Sequence, residues 1–397
     1  MNQSVIRIGP LHLFAWVTLF ELGTAVVIPV GIEAKQDAWI VILLGCLIGV
    51  AFFAGVSGML YKLYPNLPLT AYMRRIIGPV PGWLLGFAYL LYFIYIASRD
   101  VRDFVDLLSA AAYDVTPMFA LAVFMLIAVS YTIYLGIEVF GRTAFLFFLI
   151  CCGLFLLIVV LAVFSQMSDS RRMLPVLGEG WHPVMKALFP TSITFPYGEM
   201  IVMTMFLPYL NRTFKAVPIC SGAIVFSAIM LCIVTFVNIS VLGIEIASRA
   251  TFPLFTSLSR LRLAEFIQRL DAIVLFLLII TSFFKIGTFM FASILAASDL
   301  FRVKNYRTLI TPIGLIILFT TLTVSGSLTE HLQEGLKIVP YYLHLPLQFA
   351  IPAGLLLIGL MRRGSRTSGS TGTSGTSGSS GSTGTSGSSG SSSASSS

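Results

Sequence analysis

The 397 residues are 57% hydrophobic and only 11% charged, where soluble domains carry about 25% charged residues. That composition excludes a soluble globular protein and makes the chain a polytopic, all-α membrane protein. The net charge of +8 does not point to nucleic acid, because the basic residues fall at the ends of apolar runs, where they set topology.

The first apolar run holds no small-x-small cleavage site and reads as a retained helix, not a signal peptide. Cys46, Cys151, Cys152, Cys220 and Cys232 all lie inside apolar runs and read as small buried hydrophobes, not as a disulfide framework. Runs of about 20 or more apolar residues mark membrane spans. They fall near 8–32, 38–61, 76–98, 115–137, 143–168, 187–211, 216–244, 272–298, 308–329 and 338–361, which makes ten helices. The third is expected to run on past Ser98 as a long tilted helix. Residues 245–271, mixed apolar and charged, are expected as interfacial helices. The placement of Lys and Arg favours both termini on the cytoplasmic side. Residues 1–363 are expected to form one transmembrane domain, and 364–397, almost wholly Ser, Thr and Gly, a disordered tail.

Two of these spans are broken. The sixth carries Pro190, Pro196, Gly198 and Pro208, with Phe195-Pro196-Tyr197-Gly198-Glu199 at its centre. The first breaks at Glu21-Leu22-Gly23-Thr24, with Pro29 and Gly31 following. Proline removes a backbone donor and clashes with the preceding turn, and glycine weakens a helix further. In hydrocarbon such a break survives only where other helices or a wet cavity re-satisfy the freed backbone groups. Five helices from the first break match five from the second, over about 8–168 and 187–361. Odd-numbered repeats must have opposite orientations, so the architecture implied is a 5+5 inverted repeat of LeuT-like type with helices 1 and 6 broken. Interrupted helices at corresponding positions point to a binding site at the bilayer midplane.

Glu21, Glu199 and Lys285 are the charges inside spans, all near one depth. A carboxylate there costs roughly 2.5–3.5 kcal/mol on insertion scales, so each needs a partner or a cavity. One reading is a Lys–Glu pair that glues helices together. The other is a site for a charged substrate or a proton. Thr281, Lys285 and Thr288 share a helical face by their spacing of four and three, which suits a polar lining. At the breaks, half-helix N–H groups suit a carboxylate and half-helix carbonyls an ammonium, so a zwitterionic amino acid satisfies both. Gly23 and Gly198 permit close backbone approach, for a ligand or for a neighbouring helix. The candidate ligand-binding residues are therefore Glu21, Leu22, Gly23, Thr24, Phe195, Tyr197, Gly198, Glu199, Lys285 and Thr288, with Tyr95 reaching in from the third helix. On that helix Tyr92, Tyr95, Arg99, Arg102, Asp103 and Asp106 form a stripe whose charged part, Arg102 and Asp103 above all, could be a gate or a partner contact. His12, His182, His331 and His344 are scattered and read as interfacial. No phosphate loop, zinc spacing or hydrolase motif occurs, so no enzyme, metal or cofactor is expected.

FPYGEMIVMTMFLPYLN in the sixth helix, RATFPLFTSLSRL followed by EFIQRLDAI before the eighth, SFFKIGTF within it and RDVRDF in the third resemble the B subunits of bacterial spore germination receptors, the GerAB type. The likeness covers most of residues 8–361. It implies membership of the amino acid–polyamine–organocation superfamily and the ten-helix inverted repeat. It implies a sensor of small nutrients (amino acids, sometimes sugars or nucleosides) in the spore inner membrane, among membrane lipid and with A and C subunits as partners. The unwound segments would be Leu22 to Thr24 and Phe195 to Glu199. Lys285, on a helix that helps form a cation site in sodium-coupled relatives, would stand in for that ion. A proton-coupled amino-acid transporter and a ligand-gated ion-conducting subunit remain the alternatives.

Overall fold

A computed structural model describes residues 8–368 except 114, 166, 211–214 and 262–270, with side chains described to residue 362. They fall into two compact units, Met1–Gly359, which holds everything discussed below, and Leu360–Ser397, whose described part is the end of one helix. That helix runs to Ser368; the rest of the expected tail, 369–397, lies outside the described residues, as does most of the EFIQRLDAI motif.

The helices in order are α1 (Pro10–Leu22), α2 (Ala38–Phe52), α3 (Gly58–Leu63), α4 (Leu69–Ile77), α5 (Pro79–Ala111), α6 (Met118–Leu135), α7 (Ile137–Phe164), α8 (Trp181–Ala187), α9 (Ala216–Leu242), α10 (Ile244–Arg249), α11 (Pro253–Arg260), α12 (Asp271–Leu300), α13 (Ile310–Thr323), α14 (Leu328–Gln333) and α15 (Ile351–Ser368). Among the described residues, eight helical stretches are long and apolar enough to cross a membrane, and they fall on eight of the ten expected spans. The two others are the first and sixth spans, the two read as broken. Helix α5 does continue past Ser98, and α10 and α11 lie in the first part of the 245–271 stretch, of which 262–270 falls outside the described residues.

Local chemistry explains the boundaries. Pro79 opens α5, where its missing N–H is an orphan donor in any case. Gly136, at φ +109°, turns the chain sharply between α6 and α7, a conformation that a side chain would strain. The first span is helical through Pro10–Val26, but its last turn, Gly23–Val26, tightens to 3-10 geometry. The sixth begins as α8, widens over Leu188–Ser192 where Phe189 is extended (φ −110°, ψ 130°), and resumes as a 3-10 helix over Tyr197–Met205. The start of the first broken segment meets the end of the sixth, where the Ile8 N–H donates to the Tyr209 carbonyl at 2.8 Å in an isolated parallel bridge.

Helix α12 is the axle of the bundle. Protein buries 72% of its most apolar stretch, against 22% for α7, and α1, α5, α6, α7 and the Gly23–Val26 turn all pack on it. Its small residues Gly287, Ala292, Ser293, Ala296 and Ala297 allow that crowding. Trp16 of α1 lies between Phe140 (ring centroids 4.9 Å apart) and Phe206 (4.7 Å). Its indole N–H donates to Thr288 Oγ1 at 2.7 Å. At the other end of α12, Asp299 receives Arg74 Nη2 at 2.5 Å and Thr70 Oγ1 at 2.6 Å, which fixes α4 against the axle.

Replacing Asp299 by Ala strands a half-buried guanidinium and a hydroxyl. The expected cost is about 1–3 kcal/mol, read as a lower unfolding midpoint of the purified protein in detergent, with Asp299→Asn losing less.

Candidate functional site

The charged centre is built where α12 crosses both breaks. The polar face of α12 points that way throughout its middle: Thr281 Oγ1 donates to the Gly23 carbonyl at 2.8 Å, Thr288 meets Trp16, and Lys285 lies between them. A Cβ on Gly23 would sit 2.3 Å from Lys285 Cδ. The glycine at the first break is thus the space through which the lysine stem passes. Its φ of +32° adds a second reason for the absence of a side chain there.

Lys285 is completely buried. Its Nζ lies 2.6 Å from Glu199 Oε2 and 3.9 Å from Asp100 Oδ1. Neither Nζ nor Oε2 is in hydrogen-bonding geometry, so the 2.6 Å approach is a charge contact without good direction. Nζ also lies 4.2 Å from the centroid of the Phe195 ring, an arrangement that stabilises a desolvated ammonium through the ring quadrupole. Among the described residues this centre therefore holds three buried carboxylates, Glu21, Asp100 and Glu199, and a single buried lysine. Both oxygens of Glu21 and Oδ2 of Asp100 lack a hydrogen-bond partner.

A cavity of about 50 Å³ opens beside this centre, lined by Asp100, Glu199, Phe195, Arg99, Asp103 and His344 among others. Above it, α5 is tied to the segment that follows α13. Arg99 donates to Glu334 Oε2 at 3.1 Å, to the His331 carbonyl at 2.6 Å and to Tyr95 Oη at 3.2 Å. Gly335 allows that approach, since a Cβ there would sit 2.3 Å from Arg99 Nη2. His331 Nε2 meets Asp103 Oδ1 at 2.8 Å. Arg102 pairs with Asp106 at 2.9 Å and donates to the Ser325 carbonyl at 3.1 Å. Leu332 and Leu336 line both the cavity and a second, wider cleft of about 760 Å³ edged by His182, Lys186 and Lys337. These two leucines are the partition between the two spaces.

Of the residues expected from sequence, Phe195, Glu199 and Lys285 come together, with Gly23 against the lysine stem. Phe195, Glu199 and Asp103 line the cavity. Glu21 and Thr24 are buried on the first break with their side-chain oxygens unpartnered. Leu22 belongs to the apolar core. Tyr197 turns away towards α2: its hydroxyl donates to the Ile42 carbonyl at 3.1 Å, and its ring and Cβ lie over Gly45 and Gly49. Gly198 faces Gln348, whose Oε1 would be 2.1 Å from an added Cβ. Tyr95 is bound to Arg99, and Thr288 to Trp16.

Sequence reasoning missed Asp100: the third helix is expected past Ser98, but only Arg99, Arg102, Asp103 and Asp106 of that continuation are singled out as its charged stripe. The helical face it shares with Ile96 and Asp103, at spacings of four and three, was the available signal. The reading of His331 and His344 as interfacial is corrected: both are buried. His344 Nδ1 is held by Tyr92 Oη at 2.6 Å and by Gln348 Nε2 at 2.9 Å.

A family model described as spore germination protein matches residues 7–327. Spore germination protein KB of Bacillus subtilis (strain 168) is 36% identical over 360 residues, covering 91% of this chain and 96% of that protein. Spore germination protein YndE of the same organism is 25% identical over 273 residues, 68% of this chain and 73% of its own. Among solved structures, a Na+-coupled sialic acid symporter in a substrate-bound, outward-open state superposes with a TM-score of 0.59 at 10% identity, over 90% of this chain and 89% of that one. A manganese transporter of Eremococcus coleocola superposes with a TM-score of 0.50 at 15% identity, over 95% and 91%. These likenesses identify the fold as the LeuT-like one of transporters.

Removing the lysine leaves Glu199 and Asp100 buried without a counter-charge. Lys285→Met is expected to cost about 3–5 kcal/mol, and the double variant with Glu199→Gln less than the sum of the two single changes. A double-mutant cycle of unfolding midpoints in detergent checks this; strictly additive effects would mean that the pair does not interact.

Proposed function

The chain belongs to the spore germination protein family, and on that premise we propose that it is the nutrient-sensing B subunit of a germination receptor, a non-enzymatic membrane protein of the spore inner membrane. It takes a small germinant, in the first instance an amino acid, between the breaks of its first and sixth spans and signals to the A and C subunits. The observation that carries this reading is the buried cavity at the second break, where the carboxylates of Asp100 and Glu199 face the guanidinium of Arg99. Opposed charges across a small space suit a zwitterion. A sugar or nucleoside would use the same groups as hydrogen-bond partners.

At about 50 Å³ the cavity is too small for most amino acids, so the state described here is the closed one. A ligand shifts such an equilibrium only by binding the open state better. A germinant carboxylate that takes Arg99 must displace Glu334, and with it the contacts that hold the 334–338 segment over the cavity. We read Arg99–Glu334 and Asp103–His331 as the outer gate, with Leu332 and Leu336 as its apolar leaf and Arg102 as its anchor to α5. Release of that segment is the signal available to the partner subunits. Residues 1–363 carry this function, with Glu21, Leu22, Gly23 and Thr24 forming the first break's side of the site.

The sialic acid symporter is coupled to Na+. Here Lys285 brings a fixed ammonium to the first break, and we read it as standing in for such an ion. A second reading rests on Glu21, whose two oxygens are buried and unpartnered: such a group is suited to carry a proton, as a proton-coupled amino-acid transporter or a ligand-gated ion-conducting subunit requires.

Labelled amino acids and the purified protein in liposomes, alone and with the A and C subunits, separate these readings. The expected outcome is saturable binding that does not change when Na+ is replaced by choline, without accumulation under an imposed pH gradient. Gradient-driven accumulation would establish the transporter instead. Spores lacking this protein and its sister receptors that still responded normally to every nutrient would rule out the sensing role.

A further inference from the structure

Helices α6 and α13 leave a groove of about 510 Å³ between them, open to the outside of the bundle and remote from the charged cavity. Ile127, Leu315 and Leu318 line its length, and Tyr131, Tyr134 and Arg307 line one end. Ile127, Tyr131 and Leu315 are each at least 60% exposed, so protein does not fill the groove. Gly314 lies in its lining, where an added Cβ would sit 3.3 Å from Met290 Cε and 3.7 Å from Ser130 Oγ.

The apolar length and the polar end differ in what they would bind. In a bilayer the length is filled by hydrocarbon of some kind, which by itself selects nothing. The end does select. The Arg307 guanidinium lies 5.1 Å from the Tyr134 ring centroid, and among the described residues no carboxylate pairs with it. Arg302 and Lys304, on the same short loop before α13, are exposed as well. Tyrosine hydroxyls belong at headgroup depth. A planar guanidinium matches a phosphate through paired N–H bonds, and basic pockets between membrane helices on the cytoplasmic side hold anionic headgroups.

We propose that this groove binds one anionic phospholipid of the inner leaflet, with its phosphate on Arg307 beside Tyr134 and an acyl chain along Ile127, Leu315 and Leu318. The site does not depend on the germinant reading. It would remain if the protein proved to be a transporter.

The test uses the full chain in phosphatidylcholine vesicles containing either a phosphatidylglycerol or a phosphatidylcholine probe with a photoactivatable acyl chain. Labelled residues are then mapped by mass spectrometry. The phosphatidylglycerol probe is expected to label 118–135 and 306–323 several-fold more than the phosphatidylcholine probe does. Arg307→Gln should abolish that preference, Arg75→Gln, at an exposed basic residue of α4, should keep it, and Ile127→Trp should reduce labelling by both probes. Equal labelling of the groove by the two probes, or a preference that survives Arg307→Gln, overturns the proposal. Loss of labelling by both probes once the partner subunits are present would assign the groove to a partner helix and overturn it equally.

Discussion

A single ammonium group holds the centre of this molecule together. Lys285 has no access to water and finds its compensation in Glu199, Asp100 and the face of Phe195. Glu199 and Phe195 come from the sixth-span break and Asp100 from α5, so burial of the lysine fixes α12, α5 and that break relative to one another. The first break is fixed by the same side chain from the other direction, because the lysine stem occupies the space that a side chain at Gly23 would need. Discontinuous helices in a membrane protein need a reason to stay broken, and the α12 polar face supplies it through Thr281 and the Gly23 carbonyl. Counted formally, three buried carboxylates face one buried lysine, so all three can be ionised together only with further positive charge. A centre of that kind is suited to respond to a cationic group or a proton.

How much of this could be read from the sequence depended on whether the signal was local. Charges and prolines inside apolar runs stand out against their neighbours, which is why Glu21, Glu199, Lys285 and both breaks were legible, as was the layout of spans around them. Asp100 was not: the helix was expected to continue past Ser98, as α5 does to Ala111, but its charged continuation was read as a gate or partner contact, whereas α5 brings Asp100 to the buried lysine. The burial of His331 and His344 depends on partners far away in sequence, Asp103 for one and Tyr92 for the other, and no spacing within a helix encodes such a meeting. Tyr197 was read correctly as lying at the break, but its direction is set by a cleft on α2. Gly45 and Gly49, four residues apart, make that cleft, and a ring lying over two such glycines is a helix-packing signal. Membership of a break and orientation into a site are separate properties, and only the first is visible without coordinates.

The gate-like contacts above the cavity differ in kind from the pair beneath. Lys285 and its carboxylates are sealed from solvent, whereas Glu334 is about one-third exposed where it meets Arg99. An exposed partner is worth less and is more easily exchanged than a buried one. On the proposed reading the site has a firm floor and a replaceable roof, with the apolar partition of Leu332 and Leu336 in the roof.

The pairing of Ile8 with Tyr209 and Leu210 gives this arrangement a fixed fulcrum. It clasps the start of one interrupted segment to the end of the other, backbone to backbone, as the rivet does in a pair of tongs. Arms pinned at one end spread only at the other, and their travel grows with distance from the pin.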